Sequence, residues 1–79
     1  MFEKYKWRYR ILLIETPNYV NEKYKENKKI FMKNEYNFHK RHIKLLTRLK
    51  PNFKIKLIGL DGKIKKTYEK INPKIIFKD

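Results

Sequence analysis

The sequence holds no cysteine. Disulfides, thiolate metal centres and thiol redox chemistry are thereby excluded. Glycine is almost as scarce: Gly59 and Gly62 are the only two, so no glycine-rich loop can cradle a phosphate. Acidic side chains are also few, 8 against 22 lysines and arginines. No carboxylates are paired at general acid–base spacing, and no Ser/His/Asp arrangement is present. The expectation is a protein that is not an enzyme, with no catalytic residues and no cofactor. Long apolar runs are missing too. Ile11-Leu12-Leu13-Ile14 falls far short of the ~18 residues of a membrane span. Basic residues precede it, but it ends at Glu15-Thr16-Pro17 without a small-residue cleavage site. It therefore reads as a strand and not as a signal peptide. The expected location is intracellular and non-secreted, in the cytoplasm or in an organelle such as the mitochondrion.

What is present is one small domain of 79 residues, with residues 1–6 a candidate disordered arm. Such a chain is close to the size at which a single core just suffices. Aromatic residues make up 15% of it, enough to supply large core side chains despite 38% charged residues. The formal net charge is +14, which favours an anionic partner: RNA, DNA or an anionic membrane surface. Abundant Lys, Asn, Ile, Phe and Tyr also match A/T-rich codons, a competing source of lysine. That bias favours acidic codons about as readily, and acids are scarce.

Phe53 to Tyr68, FKIKLIGLDGKIKKTY, sets two alternating runs around Asp61-Gly62. Such a pair predicts a hairpin, with positive φ at both central residues of a type I′ turn. Pairing Leu60 with Lys63 places Phe53, Ile55, Leu57, Ile64 and Tyr68 on a core face. Lys54, Lys56, Ile58, Lys65, Thr67 and Glu69 fall on the other face, with Lys54 across from Glu69.

Upstream, Trp7 to Ile14 is a strand candidate. In WRYR two aromatics alternate with two arginines: either the rings stack on single-stranded RNA, or they pack while the arginines stay solvated. Thr16 with Pro17, or Asn18 one step later, opens one long helix from about Tyr19 to about Lys40. Its apolar stripe is Val20, Tyr24, Phe31 and Phe38, and core packing is the plain reading of it. Glu22–Lys25 and Glu26–Lys29 are expected pairs on its wet side. His39-Lys40-Arg41-His42 either complements the helix dipole or touches RNA. Two histidines without a nearby carboxylate or thiol make no metal site. Ile43 to Leu49 reads as a second strand, and Asn72-Pro73 opens a short helix from Pro73 to Phe77.

The fold class read from this order is α/β: β-α-β-β-β-α, a mixed sheet with one long helix and a short C-terminal one, the minimal thioredoxin-like arrangement. Arg10-Ile11-Leu12-Leu13-Ile14, Arg41 ahead of the second strand, Leu57-Ile58-Gly59-Leu60-Asp61-Gly62-Lys63-Ile64-Lys65 and Asn72-Pro73 carry a closer likeness. The chain resembles the thioredoxin-like domain of unknown function found in small bacterial secreted proteins and in sushi-repeat extracellular-matrix proteins. The resemblance implies a thioredoxin-like fold and, for its members, export. Thioredoxin-like enzymes place a reactive cysteine just after the first strand, where this chain has Thr16-Pro17-Asn18-Tyr19. The resemblance thus implies a redox-inactive relative. It also implies a cis Lys50–Pro51 bond, since such folds hold a cis-proline there.

Two functions follow from these residues. The first is a non-catalytic structural subunit that contacts RNA, ribosomal RNA above all, and neighbouring proteins in a large ribonucleoprotein such as a ribosome or organellar ribosome. Its candidate contacts are Arg8, Arg10, Arg41, Lys54, Lys56, Lys63 and Lys65, with Trp7 and Tyr9 as stacking candidates. The second is a redox-inactive thioredoxin-like protein-interaction module.

Overall fold

In the computed structural model, which describes residues 7–78, the central strand is the apolar run itself. β1 (Arg10–Thr16) lies inside a four-stranded sheet of order β2-β1-β3-β4, with β2 (Ile43–Leu49), β3 (Lys54–Ile58) and β4 (Ile64–Tyr68). It runs parallel to β2 and antiparallel to β3, which in turn is antiparallel to β4. Ile11 through Ile14 are all buried, as a continuous apolar run requires when both faces of a strand are covered.

Leu12 and Ile14 face the larger core, with Ile55 and Leu57 of β3. All three helices contribute to that side: α1 (Glu22–Lys33) through Tyr24 and Phe31, α2 (Glu35–Lys40) through Phe38, and α3 (Pro73–Lys78) through Ile76. Phe38 is wholly buried, stacked on Phe31 at 4.5 Å and edge-on to Phe77 at 5.0 Å. Ile11, Leu13 and Ile58, with Leu46 packed against them, form a smaller cluster on the opposite face that, among the described residues, contains no helical one. The Leu45-Leu46 pair serves both sides, since Leu45 packs on the larger core. Buried Asn27 fastens α1 to the segment before α3. Its Oδ1 accepts from the Ile71 amide at 2.7 Å, and its Nδ2 donates to the Lys23 carbonyl at 2.7 Å.

The expected long helix is two helices of 12 and 6 residues. Thr16 is the buried last residue of β1, and its hydroxyl donates to the Asn18 carbonyl at 2.9 Å. Asn18 in turn accepts from the Val20 amide at 3.0 Å, so both proposed caps are used within a turn. Asn21 is the real N-cap, accepting from Tyr24 N at 3.1 Å. The break comes at Asn34, whose Nδ2 donates to the Ile30 carbonyl at 2.9 Å while its own amide turns to Phe31 O at 3.0 Å. Asparagine competes with the helical backbone in this way. Of the expected stripe, Val20 therefore lies outside the helix and exposed, while Tyr24, Phe31 and Phe38 are buried.

The hairpin forms where Asp61-Gly62 places it, with Ile55 opposite Tyr68 and Leu57 opposite Lys66. Its turn differs from type I′. Gly62 alone in the loop has positive φ, +81°. Its amide donates to Gly59 O at 3.0 Å, and the Gly59 amide donates to Lys63 O at 2.9 Å. This is a three-residue loop ending in a left-handed glycine, which spares Asp61 a positive φ. The register shifts at Leu57/Ile58, bringing Ile58 opposite Ile64. Ile64 therefore leaves the core face expected for it and is exposed. Lys50–Pro51 is trans, because the described residues contain no cis peptide bond.

Candidate nucleic-acid interface

β1 begins beside the start of β2, because Arg10 pairs with Ile43 in the parallel register. The chain enters β2 through Arg41 and through His42, which has a left-handed φ of +54°. The Arg10 amide donates to His42 O at 2.8 Å, and its Nη2 donates to Arg41 O at 3.2 Å. Arg41 lays its guanidinium over the Phe77 ring at 3.9 Å and donates to Asn37 O at 3.3 Å. Among the described residues, both arginines are thus held by backbone carbonyls or a ring and not by carboxylates, which leaves their charge uncancelled there. Trp7, also left-handed at φ +68°, donates its amide to Leu60 O at 2.8 Å. The hydrogen bond ties the Trp7 backbone to the hairpin loop, while the residue is 68% exposed.

These residues close on one cleft of 530 Å³, lined by Trp7, Arg8, Arg10, Arg41, His42 and Leu60. It adjoins a second, of 650 Å³, to which Lys65, Lys66 and Lys78 add three cations and Asp61 one anion. Asp61 is partly neutralised by Lys65, whose Nζ lies 3.3 Å away. The Lys63 amide hydrogen bond above all, joined by the hydrogen bond and charge of Lys65, holds the Asp61 carboxyl below its ordinary range against the opposing effect of burial. Lys63 is exposed at the turn.

The structure brings Trp7, Arg8, Arg10 and Arg41 together, and sets Lys63 and Lys65 on the neighbouring hairpin. Tyr9 lies apart from them. It is half-buried toward β2, with Lys44 Nζ 5.6 Å over its ring, and lines a different cavity with His39 and Ile43. Lys56 stands opposite Leu13 and Lys54 opposite Glu15, about 10 Å and about 17 Å along β1 from Arg10, toward the Thr16 end of the sheet. The basic face expected of the hairpin is therefore two clusters of cations, with the buried Ile11, Leu13 and Ile58 between them.

At that far end Glu15 is 5% exposed and carries two cations, Arg48 Nη2 at 2.6 Å and Lys56 Nζ at 3.0 Å. Burial raises its carboxyl, but the hydrogen bonds and charges of Arg48 and Lys56 together outweigh that and hold it below its ordinary value. Lys56 is thus committed to a carboxylate, and Lys54 stands opposite Glu15 in the register. Glu15, Arg48, Lys66 and Lys78 were not foreseen in the sequence. A lone glutamate ending a buried strand is the one signal that could have located the first two.

The family model of a domain of unknown function, DUF4174, matches residues 1–52. The matched span takes in Trp7, Arg8, Arg10, Arg41 and the strand–helix–strand unit. The Leu57–Lys65 hairpin lies outside it. No curated protein and no solved structure matches the chain. Since the match spans well over half of the 79 residues, the chain belongs to the DUF4174 family, as a member without cysteine.

Proposed function

We propose that this protein is a non-catalytic, RNA-contacting structural subunit of a large ribonucleoprotein inside the cell, with ribosomal RNA as the favoured partner. The observation that carries the reading is the convergence of Trp7, Arg8, Arg10 and Arg41 on one open cleft. Guanidinium groups present forked donors that match phosphate oxygens. Arg10 and Arg41 are already oriented by their carbonyl and ring contacts, so less side-chain freedom is lost on binding. The exposed indole offers a face on which an unstacked base can lie, which favours single-stranded RNA. The hairpin lysines Lys63 and Lys65 extend the positive field along the backbone.

The reading is tested by sedimenting native lysate with and without RNase, beside RNA binding by the purified chain. Migration with a large particle that RNase disperses supports it. Affinity should fall linearly in log–log against salt, with a slope near −0.7 per phosphate neutralised on a single strand. The variant R8E/R10E/R41E should bind at least about tenfold more weakly. A small species untouched by RNase would refute the proposal.

The second reading is a redox-inactive thioredoxin-like interaction module, related to the bacterial secreted and matrix proteins. It is supported by the strand order β2-β1-β3-β4, with a helical crossover joining the parallel β1 and β2. This reading expects a protein partner and little RNA affinity at physiological salt.

A further inference from the structure

We propose that the outer surface of α1 is a docking groove for an acidic protein segment that presents an apolar side chain. It is separate from the cleft assigned to RNA. Tyr24 forms the floor, Tyr19 stands edge-on to it at 5.7 Å, and Met32 closes the far wall, making a groove of 520 Å³. Tyr19 is 56% exposed and Met32 59%, so two large apolar groups line an open surface. The rim is entirely cationic: Lys25, Lys28, Lys29 and Lys33.

Lys25, Lys29 and Lys33 repeat at i, i+4, a spacing at which like charges destabilise a helix. Among the described residues none of the four has an ion-pair partner, and Glu26, the nearest acid in sequence to Lys25, reaches out to Lys70 at 3.6 Å instead. Charge complementarity therefore names the occupant's rim as acidic. The floor names its centre as apolar, and a flexible thioether adapts to whichever apolar side chain enters. RNA fits the surface less well. No arginine lines it, and the Tyr24 ring already has Lys28 Nζ 5.7 Å from its centroid.

The chain has two methionines, Met1 and Met32, so carbon-13 methyl labelling of the full chain reports on the groove through one assignable signal. The probe is a short synthetic peptide in which Asp and Glu flank a Leu-Phe pair, and the control has serines in place of that pair. Three results are expected. The probe shifts the Met32 methyl saturably, and the control does so at least about tenfold more weakly. K28E/K29E weakens the probe by a similar factor while its circular dichroism stays that of the parent. R8E/R10E/R41E leaves peptide binding intact, which separates this groove from the RNA cleft. The inference is overturned if Met32 does not respond, if the serine control binds equally, or if K28E/K29E binds the probe as the parent does. It is also overturned if a poly-uridine oligonucleotide or phosphatidylserine vesicles move Met32 more readily than the probe.

Discussion

Replacing Glu15 by glutamine keeps its shape and removes its charge, and should lower the unfolding free energy by about 2 kcal/mol. A charge-assisted hydrogen bond contributes about 1.5–3 kcal/mol, and breaking a fully buried ion pair costs about 3–5. Glu15 is buried and contacts two cations, at 2.6 and 3.0 Å. Water still reaches those partners, since the Arg48 and Lys56 side chains keep 31% and 22% of their exposure. The fully buried figure is therefore discounted toward the lower one. In a domain this small each kcal/mol shifts the midpoint by about 4–8 °C, so the expected fall in Tm is about 8–16 °C. The pH dependence follows from the depressed carboxyl. A group whose folded pKa lies below its unfolded value stabilises fully above the unfolded value, about 4.3 for glutamate. That stabilisation is lost as pH falls through the folded value. The gap between parent and E15Q should therefore be widest near neutrality and close under acid conditions. Thermal unfolding followed by circular dichroism at both pH values measures it. A Tm within about 2 °C of the parent at neutral pH, or a gap unchanged in acid, would refute the reasoning.

Three further variants probe the fold. Phe38→Ala removes a wholly buried ring stacked on Phe31 and should cost about 3–5 kcal/mol, leaving a domain this small largely unfolded in urea titrations. Asn27→Leu strands the Ile71 amide and should cost about 2 kcal/mol, with faster hydrogen exchange at Ile71 as the local readout. Gly62→Ala has open space for its methyl but a φ of +81°, so backbone strain alone should destabilise by about 1 kcal/mol in urea unfolding.

Much of the sheet was readable because it obeys simple periodicities. The apolar run at Ile11–Ile14 suits a strand covered on both sides, and Asn72-Pro73 marked the start of α3. The helix break was hidden because it depends on one asparagine choosing the Ile30 carbonyl over solvent, which no apolar spacing records. The hairpin was placed correctly but its turn was not, since letting Leu60 join the loop relieves Asp61 of a left-handed backbone. The gathering of Trp7, Arg8 and Arg10 with Arg41 follows from the strand–helix–strand unit, whose parallel pairing puts two chain segments side by side. The parting of Lys54 and Lys56 from them follows equally from β3 running the other way. That step needed the β1–β3 register, which the alternating pattern alone does not supply.

The two ends of the sheet separate charge that holds the fold from charge left for a partner. At the Thr16 end, Arg48 and Lys56 close on a carboxylate whose ionised form burial disfavours, so neutralising an incoming phosphate there competes with Glu15. At the Arg10 end, the arginines are oriented by carbonyl oxygens and a phenylalanine ring, which direct a guanidinium without cancelling its charge. A cation count alone treats both ends alike; the identity of what orients each cation does not. On that ground charge reversal at Arg8, Arg10 and Arg41 should weaken binding with little loss of stability. Reversal at Lys56 should do the opposite, putting a second carboxylate beside Glu15 and lowering the unfolding midpoint while RNA affinity stays near that of the parent. Equal losses of affinity per charge reversed at the two ends would show that net charge, and not the built cleft, attracts the polyanion.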